Sequence, residues 1–170
     1  MSETTEAHGL TNPEGGFPPP EALVAAANVG PDVYDRAAAD RVGFWEEAAR
    51  RLDWAQPWER ALDWDPPFAK WFVGGKLNVA VNCVDRHVDA GHGDQVAYHW
   101  IGEPGDTRTI TYAQLKDEVC RAANALTELG VATGDRVAIY LPMIPEAVIS
   151  MLACARLGAC LLYTSPSPRD

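Results

Sequence analysis

The stretch CVDRHVDAGHGD, residues 83–94, carries the densest set of side chains able to bind a metal or move a proton: Cys83, Asp85, His87, Asp89, His92 and Asp94. Cys83 and His87 stand four positions apart, so on a helix they share a face. A tetrahedral zinc shell would need a second cysteine pair, or two histidines flanking a glutamate in H-E-x-x-H spacing, and neither occurs here. The six therefore read as the solvated, acidic end of a helix, with no metal ligand assigned.

Phosphate chemistry has one place to start, VGGKLN at residues 73–78. A phosphate-cradling loop needs a glycine-rich turn with free N–H groups and a lysine followed by Ser or Thr. Lys76 is followed by Leu77 and the earlier glycine is missing. The other lysines, Lys70 and Lys116, lie in no Ser/Thr/Gly-rich run. No G-x-S-x-G turn, paired-carboxylate spacing or Cys/His couple stands out. From the residues alone no catalytic, cofactor-binding or metal-binding residue is assigned.

The elements that would position any chemistry are easier to read. Residues 1–32 contain Pro13, Pro18, Pro19, Pro20 and Pro31 among glycines and acids, which predicts a flexible arm with one short helix at EALVAAANV. Phe44, Trp45, Ala48, Ala49 and Leu52 recur at helical spacing opposite Glu46, Glu47, Arg50 and Arg51, an amphipathic helix. LDWAQPWERALDWDPPFAKWFVGGKLN, rich in Trp and broken by Pro57, Pro66 and Pro67, predicts an irregular segment. Its rings could form a stacking platform for bases or sugars, or a strap that docks the arm on a larger body. Base-stacking surfaces come with a cationic groove, so the strap is favoured in so acidic a chain.

After Gly75 the spacing of Leu77, Val81, Val84 and Val88 predicts a helix ending at Gly91 and Gly93. VAYHWIGEPGDTRTIT reads as a β-hairpin. Thr111 and Gln114 form a capping box for a helix whose stripe runs Leu115, Val119, Ala122, Leu126, Leu129 up to Gly130. A strand from Arg136 to Leu141 follows. Pro145 then opens a helix with Glu146 in its first turn, Arg156 in its last and Gly158 past its end. AVISMLACA between those charges is apolar or small all round, which predicts a helix enclosed by protein on every side. Strand, crossover helix and a further parallel strand would begin an α/β sheet needing cover on both faces. LLYT can imitate the start of that next strand, but SPSPRD, with two prolines in three residues, cannot continue it. Residues 160–170 are therefore expected to be foreign to the fold.

Composition narrows the function classes. With 14 Lys plus Arg against 24 Asp plus Glu, the formal charge of -10 opposes nonspecific binding to nucleic acid or anionic lipid. No leader or spanning run is legible, and the expected location is cytoplasmic. Cys83, Cys120, Cys154 and Cys160 form no C-x-x-C pair and are expected to be reduced thiols, Cys83 and Cys154 as small buried hydrophobes.

FAKWFVGGKLNVAVNCVDRHV, followed by ITYAQLKDEVCRAANALTELGVATGDRVAIYLPMIPEAVISMLACARLGA, closely resembles the N-terminal part of the AMP-forming acetyl-CoA synthetases, in the acyl-adenylate-forming superfamily. The resemblance covers about residue 33 to Ala159. It implies an α/β fold: the incomplete N-terminal part of an acyl-adenylate-forming large domain, with a helical, Trp-rich N-terminal extension. The corresponding divisions are an arm at 1–32, the synthetase N-terminal region at 33–95, the start of the AMP-binding domain at 96–159 and the foreign tail at 160–170.

The implied activity is acetate:CoA ligation in two steps. Acetate attacks the α-phosphate of ATP to give acetyl-adenylate and pyrophosphate, and the thiol of coenzyme A then displaces AMP. ATP, Mg2+ and coenzyme A are the implied cofactors of the intact enzyme, and none is expected on this piece. The implied partners are those small molecules and the remainder of the synthetase chain as packing partner, with no nucleic acid and no membrane. The family's lysine-bearing loop, later nucleotide loops, mobile C-terminal domain and Gly-Gly-Phe turn have no counterpart here, so no family site residue is carried over and the piece is expected to be inactive alone. Propionyl-CoA and acetoacetyl-CoA synthetases look alike in this region, and a non-catalytic docking or regulatory module is the alternative of another class.

Overall fold

The computed structural model describes residues 19–163; the remainder of the arm and residues 164–170 of the tail lie outside the described residues. The chain divides into two compact units, with the division between Phe44 and Trp45. In the first, Pro20 precedes helix α1 (Glu21–Ala25) and Pro31 precedes α2 (Asp32–Ala39), places where proline's missing N–H costs nothing. The short helix expected in EALVAAANV forms over its first five residues, whereas α2 was not legible as a helix. Helix α3 (Arg41–Ala49) starts behind Asp40, whose carboxylate accepts the Gly43 N–H at 2.9 Å, an N-cap contact. It stops at Ala49, so Leu52 falls past its end and, like Trp45, stays exposed.

In the second unit the Trp-rich stretch is irregular only in its first part: residues 52–59 form no helix or strand beyond an isolated Gln56–Lys76 bridge, and a hairpin follows. Strands β1 (Arg60–Asp65) and β2 (Phe68–Val73) pair antiparallel, Leu62 opposite Trp71 and Asp65 opposite Phe68. Pro66 and Pro67 lie in the turn, where no ladder donor is lost, and they do not break the strands. Trp54, Trp58 and Phe72 pack edge to face or tilted, with ring centroids 4.9–5.6 Å apart.

The helix after Gly75 also departs from expectation. It forms two π-helical turns, Val81–Asp85 and Val88–His92, and Gly91 takes φ +85 within the second. Along this segment Ala80, Asn82 and Val84 are buried, and Leu77 and Val81 are exposed. Cys83, expected as a buried hydrophobe, is exposed; Cys154 is buried, and all four thiols are free.

Strands β3 (Val96–Ile101) and β4 (Thr107–Thr111) make the expected hairpin. Helix α4 (Tyr112–Glu128) begins in the reciprocal capping box: Gln114 N–H donates to Thr111 Oγ1 and the Gln114 side chain accepts from Thr111 N–H. Its buried stripe is Leu115, Val119 and Ala123, and Leu129, placed in the stripe by spacing, is 81% exposed beyond the helix end. Val84, Ile110, Leu115, Val119 and Ile149 form one core.

Strand β5 (Arg136–Ile139) leads through Pro142 into α5 (Pro145–Leu157), which ends at Gly158 in the left-handed conformation. Strand β6 (Cys160–Tyr163) pairs parallel with β5, Arg136 opposite Cys160 and Ile139 opposite Tyr163. The strand that LLYT promised is thus present and starts at Cys160, inside the range 160–170 expected to be foreign. Around β5, Ile139, Cys154 and Ala159 make a second small core. Helix α5 is not enclosed on every side: Pro145, Ala147, Ile149, Ala153 and Cys154 are buried, but Val148 is exposed and Met151 and Leu152 are half-buried. Among the described residues no helix is long and apolar enough to cross a membrane.

Candidate functional site

The CVDRHVDAGHGD side chains do not converge. Cys83 faces solvent, the His87 ring lies tilted against Tyr112 with centroids 4.9 Å apart, Asp89 accepts from Lys116 Nζ at 2.8 Å, and His92 Nδ1 meets Gln95 Nε2 at 3.2 Å. Among the described residues no group of three or more His, Cys, Asp or Glu is arranged to hold a metal ion. Lys76 is held by backbone pairing to Gln56, N–H to carbonyl in both directions at 2.8 and 3.1 Å.

The densest polar construction joins this stretch to α5. Arg156 donates from Nη1 and Nη2 to the two oxygens of Asp85, at 2.9 and 2.7 Å. The two side chains are 21% and 13% exposed, and the carboxylate holds the guanidinium pKa above its ordinary value. Asn78 Nδ2 donates to the carbonyls of Ala155 and Arg156, two of the acceptors that a helix leaves unsatisfied at its carboxyl end. Buried Asn82 exchanges bonds with Asp53, accepting its N–H at 2.8 Å and donating to its carbonyl at 2.9 Å. Spacing did not single out Asn78 or Asn82; an amide repeated at i and i+4 in the apolar run LNVAVN was the available signal.

Beyond the carboxyl end of β5 the loop from Tyr140 to Ile144 is anchored by Trp100, whose Nε1–H donates to the Met143 carbonyl at 2.7 Å. Arg108 donates to Glu146 at 2.9 Å and so lowers the pKa of that carboxylate. Burial raises the pKa of Tyr98, whose hydroxyl is enclosed with no hydrogen-bond partner among the described residues. Burial likewise raises the Cys154 thiol, opposing thiolate formation.

Beside β5 lies an apolar cleft of about 510 Å3, walled by residues such as Leu126, Val137, Ile139, Tyr140 and Cys154. The carboxyl ends of strands in an open α/β sheet are where ligands bind. The cleft has no charged lining residue, and Ser150 and Tyr140 carry its only side-chain hydroxyls. This arrangement can position and pack, but it lacks a nucleophile, a base and an anion clamp within reach of one another.

The chain is similar to known proteins in two contiguous blocks. Residues 31–83 match a family described as acetyl-coenzyme A synthetase N-terminus, and residues 84–169 match the family described as AMP-binding enzyme. It is 68% identical over 151 residues to an acetyl-coenzyme A synthetase of Streptomyces avermitilis, covering 88% of this chain and 23% of that one. With the acetyl-coenzyme A synthetase of Mycolicibacterium smegmatis it shares 61% over 161 residues, 91% of this chain and 17% of that protein. Among solved structures, acetoacetyl-CoA synthetase from Streptomyces lividans superimposes with a TM-score of 0.72 at 30% identity, over 84% of this chain and 22% of that one. The chain therefore spans less than a quarter of the length of these relatives.

Proposed function

Since the chain belongs to the AMP-binding enzyme family, we propose that it serves as the N-terminal part of an AMP-forming acetate:CoA ligase, which makes acetyl-CoA, AMP and pyrophosphate from acetate, ATP and coenzyme A through acetyl-adenylate. One observation carries the reading: 68% identity over 151 residues to an acetyl-coenzyme A synthetase. The acetoacetyl-CoA alternative is supported by a solved structure that matches at 30% identity and a TM-score of 0.72.

ATP, Mg2+ and coenzyme A belong to the whole ligase in this reading. Among the described residues no group of three or more His, Cys, Asp or Glu is arranged for a metal ion, and Lys76 is paired through its backbone to Gln56, so no residue is assigned to hold them. No step of the reaction is assigned to these residues. Their work is positional. Asp85, Arg156 and Asn78 fix the end of α5, and β5 supplies a strand beside which family sequence after Ala159 would add parallel neighbours. Parallel sheets are covered on both faces, so the uncharged cleft beside β5 suits the remaining synthetase chain as packing partner. The acidic balance fits a cytoplasmic enzyme of small molecules better than a binder of nucleic acid or lipid.

A graft tests this reading. Residues 1–159 replace the corresponding part of the Streptomyces avermitilis relative, and acetate-dependent ATP/pyrophosphate exchange is measured for the graft and for this chain alone. Exchange by the graft and none by the chain is expected. A soluble, folded graft without exchange, or exchange by the chain alone, overturns the assignment.

A further inference from the structure

A groove of about 560 Å3 lies between the end of α3 and the base of the β1–β2 hairpin, floored by Leu52, Trp54, Phe72 and Leu77 and edged by Arg51 and Arg86. Its volume is that of a small-molecule site, and an apolar lining with a few charged groups is the usual composition of one.

Three observations set this groove apart. First, its two guanidiniums lack a carboxylate partner. Arg86 Nη1 donates to the Arg51 carbonyl at 2.9 Å and to Asn82 at 3.3 Å, and Arg51 Nε approaches the Ala48 carbonyl at 3.4 Å. In a chain of net charge -10, where Arg50, Arg60, Arg108, Arg121 and Arg156 all pair with acids, neither forms an ion pair among the described residues. Second, Phe72 has φ +53, a left-handed conformation that a bulky residue rarely holds and that recurs at ligand sites. Third, the Trp54 ring lies so close to Gly75 that an added Cβ would stand 2.6 Å from it; any larger residue would push this wall of the groove aside.

We propose that this groove binds a small amphiphilic carboxylate, its apolar body against Trp54, Phe72 and Leu77 and its carboxylate on Arg51 and Arg86. Arginine's planar fork matches a carboxylate and stays charged, while the apolar wall excludes a fully hydrated anion. Attraction is local, because the chain's overall charge repels anions at longer range. The inference is independent of the ligase reading, since it concerns no step of that reaction.

Octanoate is the probe, added to the full 170-residue chain labelled with 15N, with 1-octanol and octylammonium as matched arms. Octanoate is expected to shift the Trp54 indole N–H and the Arg86 side-chain resonances saturably, and 1-octanol to bind about tenfold more weakly. Arg51→Gln should weaken octanoate by about the same factor with the amide spectrum otherwise kept, and Arg51→Lys should recover part of the loss. Equal binding of 1-octanol or octylammonium, unchanged affinity in both Arg51 variants, or no saturable shift at millimolar octanoate overturns the proposal.

Discussion

Asp85 and Arg156, 71 positions apart, meet as a two-pronged ion pair at 2.7 and 2.9 Å with both side chains mostly withdrawn from water. The pair ties the π-helical turn after Asn78 to the last turn of α5. A half-buried charge is costly to strand and useful when matched, so the pair acts as a test of register between the two elements. Asp85→Asn is expected to lower unfolding stability by about 1–3 kcal/mol in urea titrations. A double-mutant cycle with Arg156→Met should give a coupling energy of about 1 kcal/mol or more. A coupling near zero would mean that the contact carries no energy.

Helix α4 rests on a reciprocal cap between Thr111 and Gln114. Thr111→Ala should cost about 1 kcal/mol and Thr111→Ser much less, since serine keeps the accepting oxygen. Equal losses for Ala and Ser would move the explanation from the hydrogen bond to the threonine methyl.

Val119 is fully buried and Leu129 is 81% exposed, although both fall on the stripe read from spacing. Val119→Ala should destabilise by about 2 kcal/mol, whereas Leu129→Ala should stay within about 0.5 kcal/mol of the parent. Comparable losses at both sites would place Leu129 in a core that the fold does not give it.

The Tyr98 hydroxyl is enclosed with no partner among the described residues. Removing an unsatisfied polar group releases a desolvation cost, so Tyr98→Phe should be neutral or stabilising by up to about 1 kcal/mol. A clear loss of stability would reveal a partner for that oxygen.

Glu146 and Lys116 set opposite ends of the pH profile. Arg108 holds the Glu146 pKa below its ordinary value, so its contribution is present above the unfolded-state pKa and fades as pH falls through the lowered folded value. Asp89 raises the Lys116 pKa, so that contribution is complete below the unfolded-state value of 10.5 and fades as pH rises through the folded one. Each pair has at least one side chain more than half exposed, which keeps each effect small and salt-sensitive. The urea midpoint of Glu146→Gln should trail the parent at neutral pH and converge with it in acid; Lys116→Met should trail at neutral pH and converge in strong base. A gap that stays constant across either limb would show that the ion pair is not its source.

Much of the scaffold was legible. Pro145, Glu146, Arg156 and Gly158 marked α5, and the T-x-x-Q box marked α4, because caps and dipole charges act within a single turn. The β1–β2 hairpin was missed because Pro66 and Pro67 read as breakers, and whether a proline ends a strand or sits in its turn depends on where pairing begins. The π-helical turns were missed for a related reason: LNVAVNCVDRHV carries a stripe at spacing 3 to 4, and only packing against α4 decides that Ala80 and Val84, not Leu77 and Val81, go inside. Of the candidate metal side chains, the sequence placed six on one short stretch and the structure sent Asp85 to Arg156, Asp89 to Lys116 and His87 to Tyr112.

By itself, the order of residues determined the ends of α4 and α5, the β3–β4 hairpin, the acidic surface and, through two long phrases, the family. Each of those depends on neighbours within a few positions or on the summed charge. The tertiary structure alone decided which apolar residues are covered, that Cys160–Tyr163 pairs beside β5, and that Arg51 and Arg86 edge one aromatic groove. Such outcomes depend on chain segments dozens of residues apart coming into contact, and local spacing holds no information about which distant surface will arrive.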